Sequence, residues 1–149
     1  MHMTMMNNVI LDANFLLIPS QYQVDIYHQL RMRLTGTLKL LIVPEVIEEL
    51  NIKSAATAST KFTRDVKMAL ELLSNQQKQF PHLFEELPDK NSQNLPVDDY
   101  LIELAEKTQQ IKNHEVYIAT NDKELRKKAT IKGLRTIYLR QKKILEISL

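Results

Sequence analysis

The chain has 149 residues, 44% of them apolar and 26% charged, with a formal net charge of +2. That length suits one domain, 1–149, with a sizeable core. No long apolar run could span a bilayer and no leader pattern opens the chain, so a soluble cytoplasmic protein without a membrane partner is expected. The absence of cysteine excludes disulfides and thiolate metal sites, and the four histidines (His2, His28, His82, His114) lack ligand spacing. Any metal site should therefore be all-oxygen, which favours Mg²⁺ or Mn²⁺ over zinc.

The first six residues read as a start-site remnant, and 1–7 as a poorly ordered start. Residues 9–11 form an apolar strand that runs into Asp12. The spacing of Val24, Tyr27, Leu30 and Leu34 predicts one helix over 19–34, opened by Pro19 and Ser20 and broken by Gly36. A second strand follows over 38–43, and Pro44 starts a short helix over 45–51. The polar stretch 54–60 precedes a longer helix whose face carries Phe62, Val66, Ala69 or Leu70, and Leu73. Residues 82–87 carry a short strand pattern and 88–96 a polar loop. The remaining elements are a helix over 97–111, a strand over 116–119, a helix over 122–132 capped by Gly133, and strands over 135–139 and 144–147. Alternating strands and helices predict a central, mostly parallel sheet covered on both faces: one three-layer α/β/α domain.

Charge is unevenly spread. Residues 122–146 hold nine Lys or Arg against three acids, an excess of six, so the net +2 leaves the remainder four negative. A basic C-terminal sixth beside clustered acids suits a polyanion held near a metal, while a solvated helix face accounts equally well for the charge alone.

Four acidic positions follow an apolar strand or open a helix, where side chains of an open parallel sheet reach the crevice at its carboxyl edge. Asp12 ends the first strand. An unpaired acid is costly to bury there, so it must lie where the chain leaves the sheet or be neutralised. Glu48 and Glu49 follow the second strand. At about 100° per residue, Val46, Ile47 and Leu50 centre one helix face, with Glu49 at its edge and Glu48 nearly opposite. In the next doublet Asp98 shares the buried side marked by Leu101, Ile102 and Ala105, while Asp99 turns toward solvent. Asp122 follows the 116–119 strand through Thr120 and Asn121.

Plainer roles stand beside these. Asp98 and Asp122 could cap helices, Glu48 and Glu49 could be a solvated pair, and Asn121 could be a turn residue. Asp12 has no capping role unless a helix starts immediately after it. The conjunction of four sites is the signal. Converging carboxylates repel unless protonated or bridged by a cation. A divalent ion would keep several waters and accept phosphate oxygens; it would also acidify a water for attack on phosphorus, with a second ion about 3.5–4 Å away stabilising the leaving oxygen. Asn14, Thr120 and Asn121 are placed to orient acids or waters by hydrogen bonds.

These residues resemble the PIN-domain nucleases. The likeness runs from Val9-Ile10-Leu11-Asp12-Ala13-Asn14-Phe15-Leu16-Leu17 through Val43-Pro44-Glu45-Val46-Ile47-Glu48-Glu49-Leu50 and Val97-Asp98-Asp99-Tyr100-Leu101 to Ala119-Thr120-Asn121-Asp122-Lys123-Glu124-Leu125-Arg126 and Tyr138-Leu139-Arg140-Gln141-Lys142-Lys143. The resemblance implies catalytic and metal-binding acids at Asp12, Glu49, Asp98 (or Asp99) and Asp122, with helpers at Asn14 and Thr120. It implies Mg²⁺- or Mn²⁺-dependent cleavage of RNA. The nearest branch looks like the archaeal proteins related to the small-subunit processome nuclease, which makes a ribosomal RNA precursor the expected substrate and is compatible with a homodimer. Lys123, Arg126, Lys127, Lys128, Arg140, Lys142 and Lys143 are then the candidates to contact RNA phosphates. The competing expectations are a toxin ribonuclease held by an antitoxin, and a catalytically weak RNA-binding scaffold.

Overall fold

The computed structural model describes residues 5–88 and 91–148. At its centre is β1 (Met6–Leu11), hydrogen-bonded in parallel to β2 (Thr37–Ile42) on one side and to β4 (His114–Ala119) on the other. A parallel strand flanked on both edges is covered on both faces, which is why Val9, Ile10 and Leu11 form an unbroken apolar run. Beyond β2 lies β3 (Phe84–Glu86); beyond β4 lies β5 (Arg135–Arg140), also parallel. A final strand, β6 (Ile144–Ile147), folds back antiparallel on β5, giving the order β3-β2-β1-β4-β5-β6.

Three short helices, α1 (Ala13–Leu16), α2 (Ile18–Tyr22) and α3 (Ile26–Arg33), connect β1 to β2, and α4 (Pro44–Ala56) and α5 (Thr60–Gln79) connect β2 to β3. On the return journey α6 (Val97–Gln109) leads into β4, and α7 (Lys123–Ile131) joins β4 to β5. Right-handed crossovers run one way from β1 to β3 and the opposite way from β4 to β5, which puts α6 and α7 on the other face from α1, α4 and α5. The direction reverses between β1 and β4. In open α/β sheets that reversal opens a crevice at the carboxyl edge. Leu11 sits opposite Ala119 in the register, so the next residues, Asp12 and Thr120, leave the sheet side by side at that crevice.

The predicted three-layer α/β/α architecture with a mostly parallel sheet is present, and the short strand expected within 82–87 is β3. Several boundaries differ. Met6 and Asn7 belong to β1, and Asn7 is buried, so the strand starts inside the segment expected to be disordered; the first four residues lie outside the described ones. The single helix expected over 19–34 is two, α2 and α3. Gln23, at φ 57°, ends α2 in a left-handed turn, and Asp25 restarts the chain by accepting from the His28 N–H at 2.9 Å. The helix expected to end at Asn51 continues to Ala56, leaving only three residues before α5, which Ser59 caps by accepting from the Phe62 N–H. In the polar loop, Asp89 and Lys90 fall outside the described residues. Asn91 braces the rest, accepting from the Leu95 N–H at 2.9 Å and donating to its carbonyl.

Two glycines make required turns. Gly36 has φ 94°, and a Cβ there would lie 2.8 Å from the Met5 carbonyl oxygen; the entry into β2 admits no side chain. Gly133, at φ 73°, ends α7.

Candidate active site

The four segments that carry the acids meet at the crevice. Asp12 is 4% exposed, the last residue before α1, and both its carboxyl oxygens are engaged. Oδ1 accepts from the Ala13 N–H at 2.8 Å and Oδ2 from the Thr120 hydroxyl at 2.7 Å. A helix does start immediately after Asp12, which meets the condition for a capping role: it caps α1. Four residues cannot hold a helix by backbone bonding alone. Burial of Ala13, Phe15 and Leu16 holds α1, the two larger side chains contributing about 1.5–3 kcal/mol each. The turn that aims Asp12 is thus fixed by the core beneath it.

Thr120, fully buried, is the hub. Its hydroxyl donates to Asp12, lies 3.2 Å from Asn14 Oδ1 and accepts from the Asp122 N–H at 3.0 Å. Asn14 Oδ1 also accepts from the Asn121 N–H at 2.8 Å. The side chain of Asn121 turns the other way, accepting from the Leu139 N–H at 2.8 Å. That contact ties the β4–α7 loop to β5, in keeping with the turn role weighed for Asn121 beside that of orienting acids or waters. Asp122 caps α7, as its plainer role predicted, with Oδ1 accepting from the N–H groups of Glu124 and Leu125.

Glu49 and Asp98 arrive on helices. Glu49 is half-buried on α4 and Glu48 exposed, as the helical geometry required; Glu48 lines a separate cleft of 670 Å³ with Pro44, Glu45 and Glu86. Asp98 does not cap α6, because Pro96 occupies the cap position. It lies in the first turn with Asp99, whose carboxylate faces Lys128 of α7 at 3.6 Å.

Electrostatics shows which acids share the crevice. Burial pushes the Asp12 carboxyl above its ordinary range; the Thr120 and Ala13 hydrogen bonds pull it down, and the charges of Glu49 and Asp122 push it up again. Burial also raises Asp98, followed by repulsion from Asp12 and Asp122, with Lys128 acting against them and Asp99 with them. Asp12 therefore lies within electrostatic reach of Glu49 and Asp122, and Asp98 within reach of Asp12 and Asp122. A lysine, Lys53, approaches Glu49 from one turn away at 3.8 Å.

The donor set is all-oxygen, as a hard divalent cation requires. Among the described residues, no three acids or histidines lie close enough to chelate one ion directly. Mg²⁺ commonly binds through one or two carboxylates, its other positions held by waters and substrate phosphates. The four acids fit that looser mode.

Of the expected RNA-contacting residues, Lys123, Lys127 and Lys128 are exposed on α7, and Arg140, Lys142 and Lys143 surround the β5–β6 turn. Gln141 and Lys142, at φ 52° and 58°, form a left-handed pair of the kind that closes a tight hairpin. Lys128 and Arg140 are engaged, with Asp99 and with Glu146 at 3.4 Å. Arg126 lies over the ring of Tyr138, its Cζ 3.9 Å from the centroid. Sequence reasoning missed Tyr138 as part of the site, and no local signal marks it, because the contact joins α7 to β5 across twelve positions.

Residues 9–142 match the family described as PIN like domain. No curated protein matches the chain in sequence. Among solved structures, one described as the PIN domain endonuclease Utp24 superposes with a TM-score of 0.63 at 21% identity, covering 94% of this chain and 90% of that one. That likeness establishes the fold. The family match covers most of the chain, and the chain belongs to the PIN-like domain family.

Proposed function

We propose that this protein is a metal-dependent endoribonuclease that hydrolyses RNA phosphodiesters during ribosomal RNA maturation. The observation that carries the reading is Asp98. It is delivered by a helix on the far face of the sheet to a place where Asp12 and Asp122 oppose its charge. Folds do not gather mutually repelling carboxylates for stability; a cation makes the arrangement favourable.

Asp12, Glu49, Asp98 and Asp122 would hold Mg²⁺ or Mn²⁺, with Asp99 outside the ligand set because it faces Lys128. The bound ion would supply a low-pKa water and charge neutralisation at phosphorus. The chain's own groups do the positioning. Thr120 fixes the Asp12 carboxylate, Asn14 and the Asp122 N–H fix Thr120, and the basic residues of α7 and the β5–β6 turn neutralise flanking phosphates. The ribosomal assignment rests on the resemblance in the sequence motifs, and the endonuclease reading is supported by a fold shared with a PIN domain endonuclease.

Incubation of an RNA precursor with Mg²⁺ or Mn²⁺ tests the reading. Wild type should yield discrete products that EDTA abolishes and Asp12→Asn does not make. Equal cleavage by the two proteins would remove the mechanism.

A further inference from the structure

We infer that Arg126, stacked on Tyr138, is the residue that positions a backbone phosphate of the RNA against the carboxylates. This rests on the proposed endoribonuclease reading and names the group that aims its substrate. Seven basic side chains sit on α7 and at the β5–β6 turn, and they differ in how they are held. Lys128 and Arg140 face acids of their own. Lys123, Lys127, Lys142 and Lys143 are exposed lysines whose side chains make no ion pair among the described residues. Arg126 alone among the seven is both fixed in place and uncommitted.

The fixing comes from the ring. The guanidinium carbon lies 3.9 Å from the Tyr138 centroid, within cation–π range. Its Nε is buried without a hydrogen-bond partner, and the head makes no ion pair among the described residues. Packing, not hydrogen bonding, therefore sets its position. The two terminal amino groups make no hydrogen bond among the described residues, and the residue as a whole is half-buried. A planar fork with both prongs open matches two oxygens of one phosphate.

Along α7, Arg126 follows directly from one of the acids. The Arg126 N–H donates to the Asp122 carbonyl at 3.0 Å, so the two residues lie one helical turn apart. Helical side chains lean toward the N-terminus, which on α7 is the direction of Asp122. The other half of the stack is tethered to the same loop, because Leu139, the neighbour of Tyr138, donates its N–H to Asn121. Despite the single turn between them, Arg126 does not pair with Asp122.

The experiment measures RNA binding in an Asp12→Asn background, where nothing is cleaved, and cleavage in the otherwise wild-type chain. Binding of a single-stranded RNA is followed by fluorescence anisotropy over a range of salt. Arg126→Ala should weaken binding and lower the salt slope by about 0.7, the value of one lost phosphate contact on a single strand. Arg126→Lys should keep that slope but lose roughly tenfold to 100-fold in kcat, because a point charge on a flexible stem does not aim the phosphate. Tyr138→Leu should behave like Arg126→Lys, and Tyr138→Phe, which keeps the ring face, like wild type. An unchanged slope in Arg126→Ala, or wild-type kcat in Arg126→Lys, would overturn the inference. The two arms separate the two readings: an Arg126-dependent slope, with no cleavage by the chain that retains Asp12, would reject the endoribonuclease and keep the phosphate contact.

Discussion

The crevice has two unlike halves. On the strand side, Asp12 and Asp122 are wired into the backbone: each caps a helix, and Thr120 joins them through its hydroxyl. On the helix side, Asp98 makes no hydrogen bond among the described residues, and Glu49 has only a long approach from Lys53. One half is built before any ligand arrives. The other is presented by α4 and α6 and waits for something to hold it. A cation held by the strand side with its coordination completed from the helix side would use this difference.

Substitutions can break the comparison at several levels. The largest expected effect is on cleavage by Asp12→Asn, which should exceed the ~10–100-fold typical of removing a group that merely supports a ligand. The fold should tolerate it: the Thr120 hydroxyl, already within reach of Asn14, can redirect its proton there and accept from the new amide. Asp98→Asn should also lose most activity, whereas Asp99→Asn should lose far less, because it breaks only the contact with Lys128. Parallel cleavage rates decide this, and equal losses would place Asp99 among the ligands. Thr120→Val should cost about 1–3 kcal/mol in denaturant unfolding, since it strands buried polar groups, and should lower kcat by about 10–100-fold.

A smaller effect concerns pH. Asp12 and Asp98 have pKa values raised by folding, so the native state binds more protons than the unfolded chain between the ordinary and the raised values. Their contribution to stability is present below the ordinary carboxylate value and is lost as pH rises through the raised ones. In metal-free protein, the melting temperature of Asp98→Asn should match wild type at low pH and exceed it increasingly as pH rises through that window. A gap that shrinks with rising pH would contradict the sign. The smallest effect expected is from Lys142→Ala at the hairpin tip, a fall of about 0.7 in the salt slope of RNA binding with kcat unchanged.

Much of this arrangement can be read from residue order, and the exceptions have physical causes. The strand of Val9, Ile10 and Leu11 is legible because a doubly covered strand must be apolar throughout, and the inward turn of Asp98 follows from helical spacing alone. The division of 13–33 into three helices is not legible. The apolar residues Tyr27 and Leu30 satisfy one helix or several, and Gln23 adopts a left-handed turn without a glycine to announce it. The double duty of Asp12 was hidden for the same reason, since α1 is too short to show a period. Contacts that depend on register, such as Arg126 on Tyr138 and Asn121 on Leu139, join residues whose proximity exists only after the sheet has formed.

The central claim is that the two halves of the crevice share a divalent cation, and calorimetric titration of Mn²⁺ into the RNA-free protein tests it most directly. Saturable binding is expected for wild type, weakened by Asp98→Asn and abolished by Asp12→Asn, with Asp99→Asn close to wild type. Identical isotherms for wild type and Asp12→Asn would show that these carboxylates have met for some other purpose.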